Sequence, residues 1–85
     1  MNANYRRGRA KEYRCCNKLK KEGFDLVQRT AGSHSEVDVL AIKIDTKEIK
    51  FIQCKPKSMG VKAKQRIIDR NKGLNGKFIC SFEVI

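Results

Sequence analysis

The stretch VDVLAIKIDTKEIKFIQCK, residues 37–55, decides how this chain is read. Two β-branched, apolar runs, 37–44 and 48–55, meet across a short polar DTKE, the pattern of two strands joined by a tight turn. With Thr46 and Lys47 as a two-residue loop, Ile44 faces Ile49, Ile42 faces Phe51, Leu40 faces Gln53 and Asp38 faces Lys55. Directly opposed residues share a face of the sheet. One face is therefore predicted to read Ile44, Ile49, Ile42, Phe51 and Leu40, then Gln53, Asp38 and Lys55. A one-residue slip would mix the apolar sets, which supports this register. Pro56 cannot donate a ladder hydrogen bond and is expected to end the second strand.

The polar end of that face has a recognisable chemistry. A carboxylate and an amide oxygen close together suit a hard divalent cation such as Mg²⁺, which takes oxygen ligands and keeps several waters. A neighbouring ammonium can orient or deprotonate one of those waters, and the metal neutralises charge as a phosphodiester is attacked. The same three residues could equally form a strand-end ion pair, Asp38 to Lys55, with Gln53 satisfied by backbone. Pattern alone leaves both readings open. The Cys54 side chain alternates to the other face and is expected to pack.

Upstream, residues 5–22 form a predicted helix that stops at Gly23, a typical position just past a helix end. Tyr5, Gly8, Glu12, Cys15, Cys16 and Leu19 fall on one side at helical spacing, and Lys11, Arg14, Lys18 and Lys21 on the other. Glu12 is the exception in an apolar stripe. A buried carboxylate is costly unless paired or bound to a metal, so the helix could bring Glu12 beside Asp38. A short strand is expected over 24–29 and a loop over 30–36. Downstream come a helix over 61–72 with Ala63, Ile67 and Ile68 inward, a turn at LNGK, and a last strand, KFICSFEVI, over 77–85. The order α-β-β-β-α-β implies an α/β fold, a small mixed sheet flanked by helices, in one domain spanning 1–85. Residues 1–4 carry no signal and are expected to be flexible.

Composition narrows the partners. Twenty Lys and Arg against nine Asp and Glu give 85 residues a net charge of +11, which favours a polyanion. No stretch approaches the roughly 20 apolar residues of a membrane span, and no secretory signal is visible, so a cytoplasmic protein with no membrane partner is expected. Four cysteines without a C-x-x-C pair read as free, mostly buried thiols. The six aromatics sit at core-like positions, which argues against an RNA-stacking platform.

Asp38 followed by Gln53-x-Lys55 on the next strand resembles the D…(E/Q)xK signature of the PD-(D/E)XK nuclease superfamily, and the element order resembles its restriction-endonuclease-like core. More narrowly, Arg7-Gly8 and Glu12 on the first helix, Gly23-Phe24, Arg29 and Ala31-Gly32-Ser33 resemble the archaeal and viral Holliday junction resolvases over residues 5–59. The resemblance implies a Mg²⁺- or Mn²⁺-dependent endodeoxyribonuclease that cuts four-way or other branched DNA as a homodimer. It implies catalytic roles for Glu12, Asp38, Gln53 and Lys55. Glu12, Asp38, Gln53 and the Cys54 backbone carbonyl would hold the metal, and Lys55 would assist the attacking water. Arg6, Arg7, Arg9, Arg29, Ser33, His34, Ser35 and Lys57 would contact DNA, with His34 also readable as a solvated loop residue. Gln53 stands where these resolvases most often carry glutamate, and Gln-x-Lys also resembles the Mrr-type restriction endonucleases. Two alternatives follow: a nuclease of the same fold acting on duplex or flapped DNA, and a basic DNA-binding protein with a degenerate metal site.

Overall fold

A computed structural model describes residues 3–30, 36–55, 58–76, 78, 81 and 84, with the side chains of 3–7 outside the description. The elements run α1 (Ala3–Lys21), β1 (Leu26–Arg29), β2 (Val39–Lys43), β3 (Glu48–Ile52), α2 (Val61–Asn71) and a 3-10 turn over Lys72–Leu74. This is a mixed α/β arrangement whose three strands form an antiparallel sheet in the order β1-β2-β3. The expected last strand over 77–85 falls largely outside the described residues. Among those described, no helix is long and apolar enough to cross a membrane.

The end of α1 follows from two residues. Gly23 adopts φ +94°, where a side chain would be strained, and the Gly23 N–H donates to Lys20 O while Phe24 N–H donates to Leu19 O. This paired termination satisfies two carbonyls that the helix would otherwise leave open, and it brings Phe24 back over Leu19. Both are buried, together with Cys16 on α1 and Val39 and Ala41 on β2. Lys18, Lys20 and Lys21 fill the last turn, where cations complement the helix dipole. Lys43 and Lys50 cover the Phe24 ring with their ammonium groups 5.8 and 5.2 Å from its centroid.

The hairpin differs from the expected register. Its closing pair is Lys43↔Glu48, so the loop holds four residues, 44–47, and Leu40 faces Phe51 while Ile42 faces Ile49. A two-residue loop of the favoured kind would need both Thr46 and Lys47 at positive φ, which β-branched Thr46 resists. Only Lys47 takes it, at φ 58°. Lys47 N–H donates to Ile44 O at 3.1 Å, and Asp25 Oδ2 accepts from Ile44 N–H at 2.7 Å. The shift is even, so residues keep their faces although they change partners.

The buried face is the one to which Cys54 alternates. Val39 and Ala41 are fully buried beneath α1, with Ile52 and Cys54 packed beside them. On the other face Leu40, Ile42 and Ile49 are half-buried, Phe51 is exposed, and Ile44, in the hairpin loop, is 69% exposed. β2 is apolar on both sides, so alternation does not say which set α1 selects. Ala41 and Val39 are the smaller set and let the helix backbone come closer.

Candidate metal and nucleic-acid site

The ladder ends at Val39↔Ile52, earlier than the expected strand end at Lys55. Gln53, Cys54 and Lys55 are thus an irregular extension rather than ladder residues, and the expected Leu40–Gln53 and Asp38–Lys55 pairs do not form. Asp38 explains the break. Its N–H still donates to Ile52 O at 2.8 Å, and its side-chain Oδ2 accepts from Cys54 N–H at 2.9 Å. Its carbonyl accepts from Thr30 N–H at 3.1 Å. The carboxylate therefore replaces one rung of the ladder and ties the start of β2 to the segment carrying Gln53 and Lys55.

Glu12 reaches the same region from α1. Its Oε1 pairs with Arg29 Nε at 3.0 Å, both side chains being 21% exposed. Arg29 lies on β1 opposite Val39, the residue after Asp38. It also donates from Nη1 to the Tyr13 hydroxyl at 3.1 Å and stacks its guanidinium over the Tyr13 ring at 4.5 Å. The hydrogen bond to Glu12 and the neighbouring Tyr13 raise the Arg29 pKa further, so it is always charged. Sequence reasoning assigned Arg29 to phosphate and Glu12 to metal. The structure adds that the two hold each other, a long-range pairing that no local pattern announces.

Cys54 sits between the acids. Burial pushes its thiol up to about 11, with the Cys15 thiol, Asp38 and Glu12 adding to the shift. Burial likewise raises the Cys16 thiol. Cys15, Cys16 and Cys54 are free, as expected, and so protonated a Cys54 is a packing residue rather than a nucleophile.

Gln53, the residue before it, has a buried side-chain oxygen, Oε1, with no hydrogen-bond partner among the described residues. A buried acceptor left open costs about 1–3 kcal/mol. An open amide oxygen is a donor of the kind a hard cation takes, and Asp38 is bound to the next residue through the Cys54 N–H. Among the described residues no three His, Cys, Asp or Glu side chains group as metal ligands.

Lys55 is half-buried at the open end, and its carbonyl accepts from Lys11 Nζ of α1. Its ammonium lies near enough to Glu36 to lower that acid's pKa, after the larger effects of Arg70 and Asn71. Glu36 accepts from Arg70 Nε and Nη2 at 3.1 and 2.5 Å and from Asn71 Nδ2 at 3.3 Å, the bridge from the loop to α2. Local periodicity carries no sign of this bridge, since the partners are 34 and 35 residues apart.

Of the remaining candidates, Arg9 is partly buried on α1. Arg6 and Arg7 also lie on α1, with side chains outside the description, and Ser33, His34, Ser35 and Lys57 lie outside the described residues altogether. Neither a family model, nor a curated protein, nor a solved structure matches this chain.

Proposed function

We propose that this chain is a metal-dependent, structure-selective DNA endonuclease that hydrolyses phosphodiester bonds in four-way junctions, resembling the Holliday junction resolvases and their restriction-endonuclease-like core. The observation that carries the reading is the buried Gln53 Oε1, without a partner among the described residues, one residue before the Cys54 N–H that Asp38 holds. A divalent ion there would be Mg²⁺ or Mn²⁺, held by Glu12, Asp38, Gln53 and the Cys54 carbonyl. When bound it would supply charge neutralisation at the phosphate and a more acidic water.

The chain's own residues do the rest. Asp38, fixed by the Cys54 N–H, presents its remaining oxygen in one orientation. Arg29 holds Glu12 and adds a positive charge for a phosphate oxygen. Lys55, its carbonyl tethered by Lys11, orients the attacking water or neutralises developing charge. The net charge of +11 supplies the attraction for DNA. Two copies would fit the two-fold character of a four-way junction.

A second reading has its own support. Glu12 is already paired with Arg29 and Asp38 already caps a backbone N–H, which is what a basic DNA-binding protein with a retired metal site would show. Incubation of the protein with a synthetic four-way junction, its linear duplex arms and a flap, in Mg²⁺, Mn²⁺ or EDTA, separates the two. Paired symmetric nicks in the junction alone, lost in Asp38→Asn and Lys55→Ala while binding persists, are expected. Equal cutting of the duplex would shift the reading to a general nuclease, and tight binding without cutting in any metal would leave the binding protein.

A further inference from the structure

Along the edge of β3 that faces away from β2 opens a cavity of 1570 Å³ that reaches from α1 across the sheet edge to α2. Arg14 and Lys18 of α1, Lys50 and Lys55 on the β3 side and Lys64 of α2 line it. Among the described residues only two acids, Glu36 and Glu48, line it with them, and Glu36 is already held by Arg70. So one-sided a lining favours an anion. A second copy of this chain would bring another +11 to the same groove, which weighs against it as the occupant.

The floor is not polar. Phe51 of β3 and Phe78 pack with ring centroids 5.4 Å apart and planes tilted by 46°, yet remain 37% and 46% exposed. Cations around partly open aromatic faces match a ligand that carries phosphates and flat apolar rings together. A duplex hides its base faces in its own stack, whereas an unpaired strand offers them. We propose that this groove binds an unpaired nucleic-acid strand, its backbone along Arg14, Lys18, Lys50 and Lys64 and a base stacked on the Phe51–Phe78 pair.

The inference adds a ligand to the endonuclease reading without depending on it. Glu12 and Asp38 do not line the groove, while Gln53 and Lys55 do, so the strand's path leads to the candidate metal site. The test is fluorescence anisotropy with labelled oligothymidylate and oligouridylate, about 12 nucleotides long, against a duplex of equal length. At least one single strand is expected to bind about tenfold tighter than the duplex. Phe51→Ala and Phe78→Ala are expected to weaken it roughly 5- to 150-fold at unchanged salt dependence. The double variant Arg14→Gln with Lys18→Gln is expected to flatten the slope of log affinity against log salt by about 1.4. Thermal melting of Phe78→Ala, whose ring is half open, checks that the fold persists. Equal affinity for duplex and single strands, or wild-type affinity in both phenylalanine variants, would overturn the groove. Strand binding without any cutting overturns the endonuclease reading alone, and junction cutting without strand preference overturns the groove alone.

Discussion

The two faces of one three-stranded sheet are built to different ends. Beneath α1, Val39 and Ala41 are sealed by Cys16, Leu19 and Phe24, and a Glu12–Arg29 ion pair pins the helix to β1. Across the sheet, larger side chains gather without being sealed: Phe51 is 37% exposed, Ile68 of α2 is 55% exposed, and α2 buries no residue at all. Apolar burial stabilises in proportion to the area removed from water, so the folding energy is concentrated under α1. The open face leaves large apolar side chains such as Phe51 and Ile68 exposed to water. The contrast teaches that an apolar residue on this sheet is evidence of core only on one side of it.

Truncations should rank accordingly. Leu19→Ala empties the closed face and is expected to cost about 2–5 kcal/mol in urea unfolding, while Ile68→Ala on the open side should stay within about 0.5 kcal/mol. Equal losses would break the comparison. Next in size is thiol chemistry. With Cys54 pushed up to about 11, its alkylation in the native protein at pH 8 should run about a hundredfold slower than that of an unhindered thiol of ordinary pKa, read by mass mapping. Fast labelling would mean that the α1 face opens as readily as the other.

Gly23→Ala should cost about 1–2 kcal/mol, because an alanine at φ +94° is strained even though the nearest atom to its methyl would be the mobile Lys43 side chain at 3.8 Å. The smallest effect concerns the open face. Arg70 holds Glu36 below the ordinary carboxylate value of 4.5. A lowered folded-state pKa means the bridge's contribution is present above that value and lost as the pH falls through the lowered one. Amide signals of α2 should therefore shift in acid below pH 4.5 while those of the α1 face hold, and a simultaneous change would join the two regions.

Much of this was legible in the chain itself. Gly23 marked the end of α1 because few other residues tolerate that backbone, and two apolar runs around DTKE marked the hairpin. The register was off by two because Thr46 resists the positive φ that a two-residue loop demands, a cost that run-length counting ignores. Which face is sealed was not legible, because VLAI in β2 is apolar on both sides and only packing against α1 decides. Asp38, Gln53 and Lys55 stood out as polar groups after an apolar run. Their actual geometry, with Asp38 taking the Cys54 N–H and Glu12 taking Arg29, depends on contacts between residues 16 and 17 positions apart, which no local periodicity encodes.

The central claim, that Asp38 and Gln53 belong to a site for a hard cation, is tested most directly by titrating Mn²⁺ into the protein and following free Mn²⁺ by electron paramagnetic resonance, with and without a four-way junction. The account predicts one ion per chain in the wild type, its binding abolished in Asp38→Asn and weakened in Gln53→Ala, with unchanged melting curves. No uptake under either condition, or uptake that survives Asp38→Asn unchanged, would contradict it.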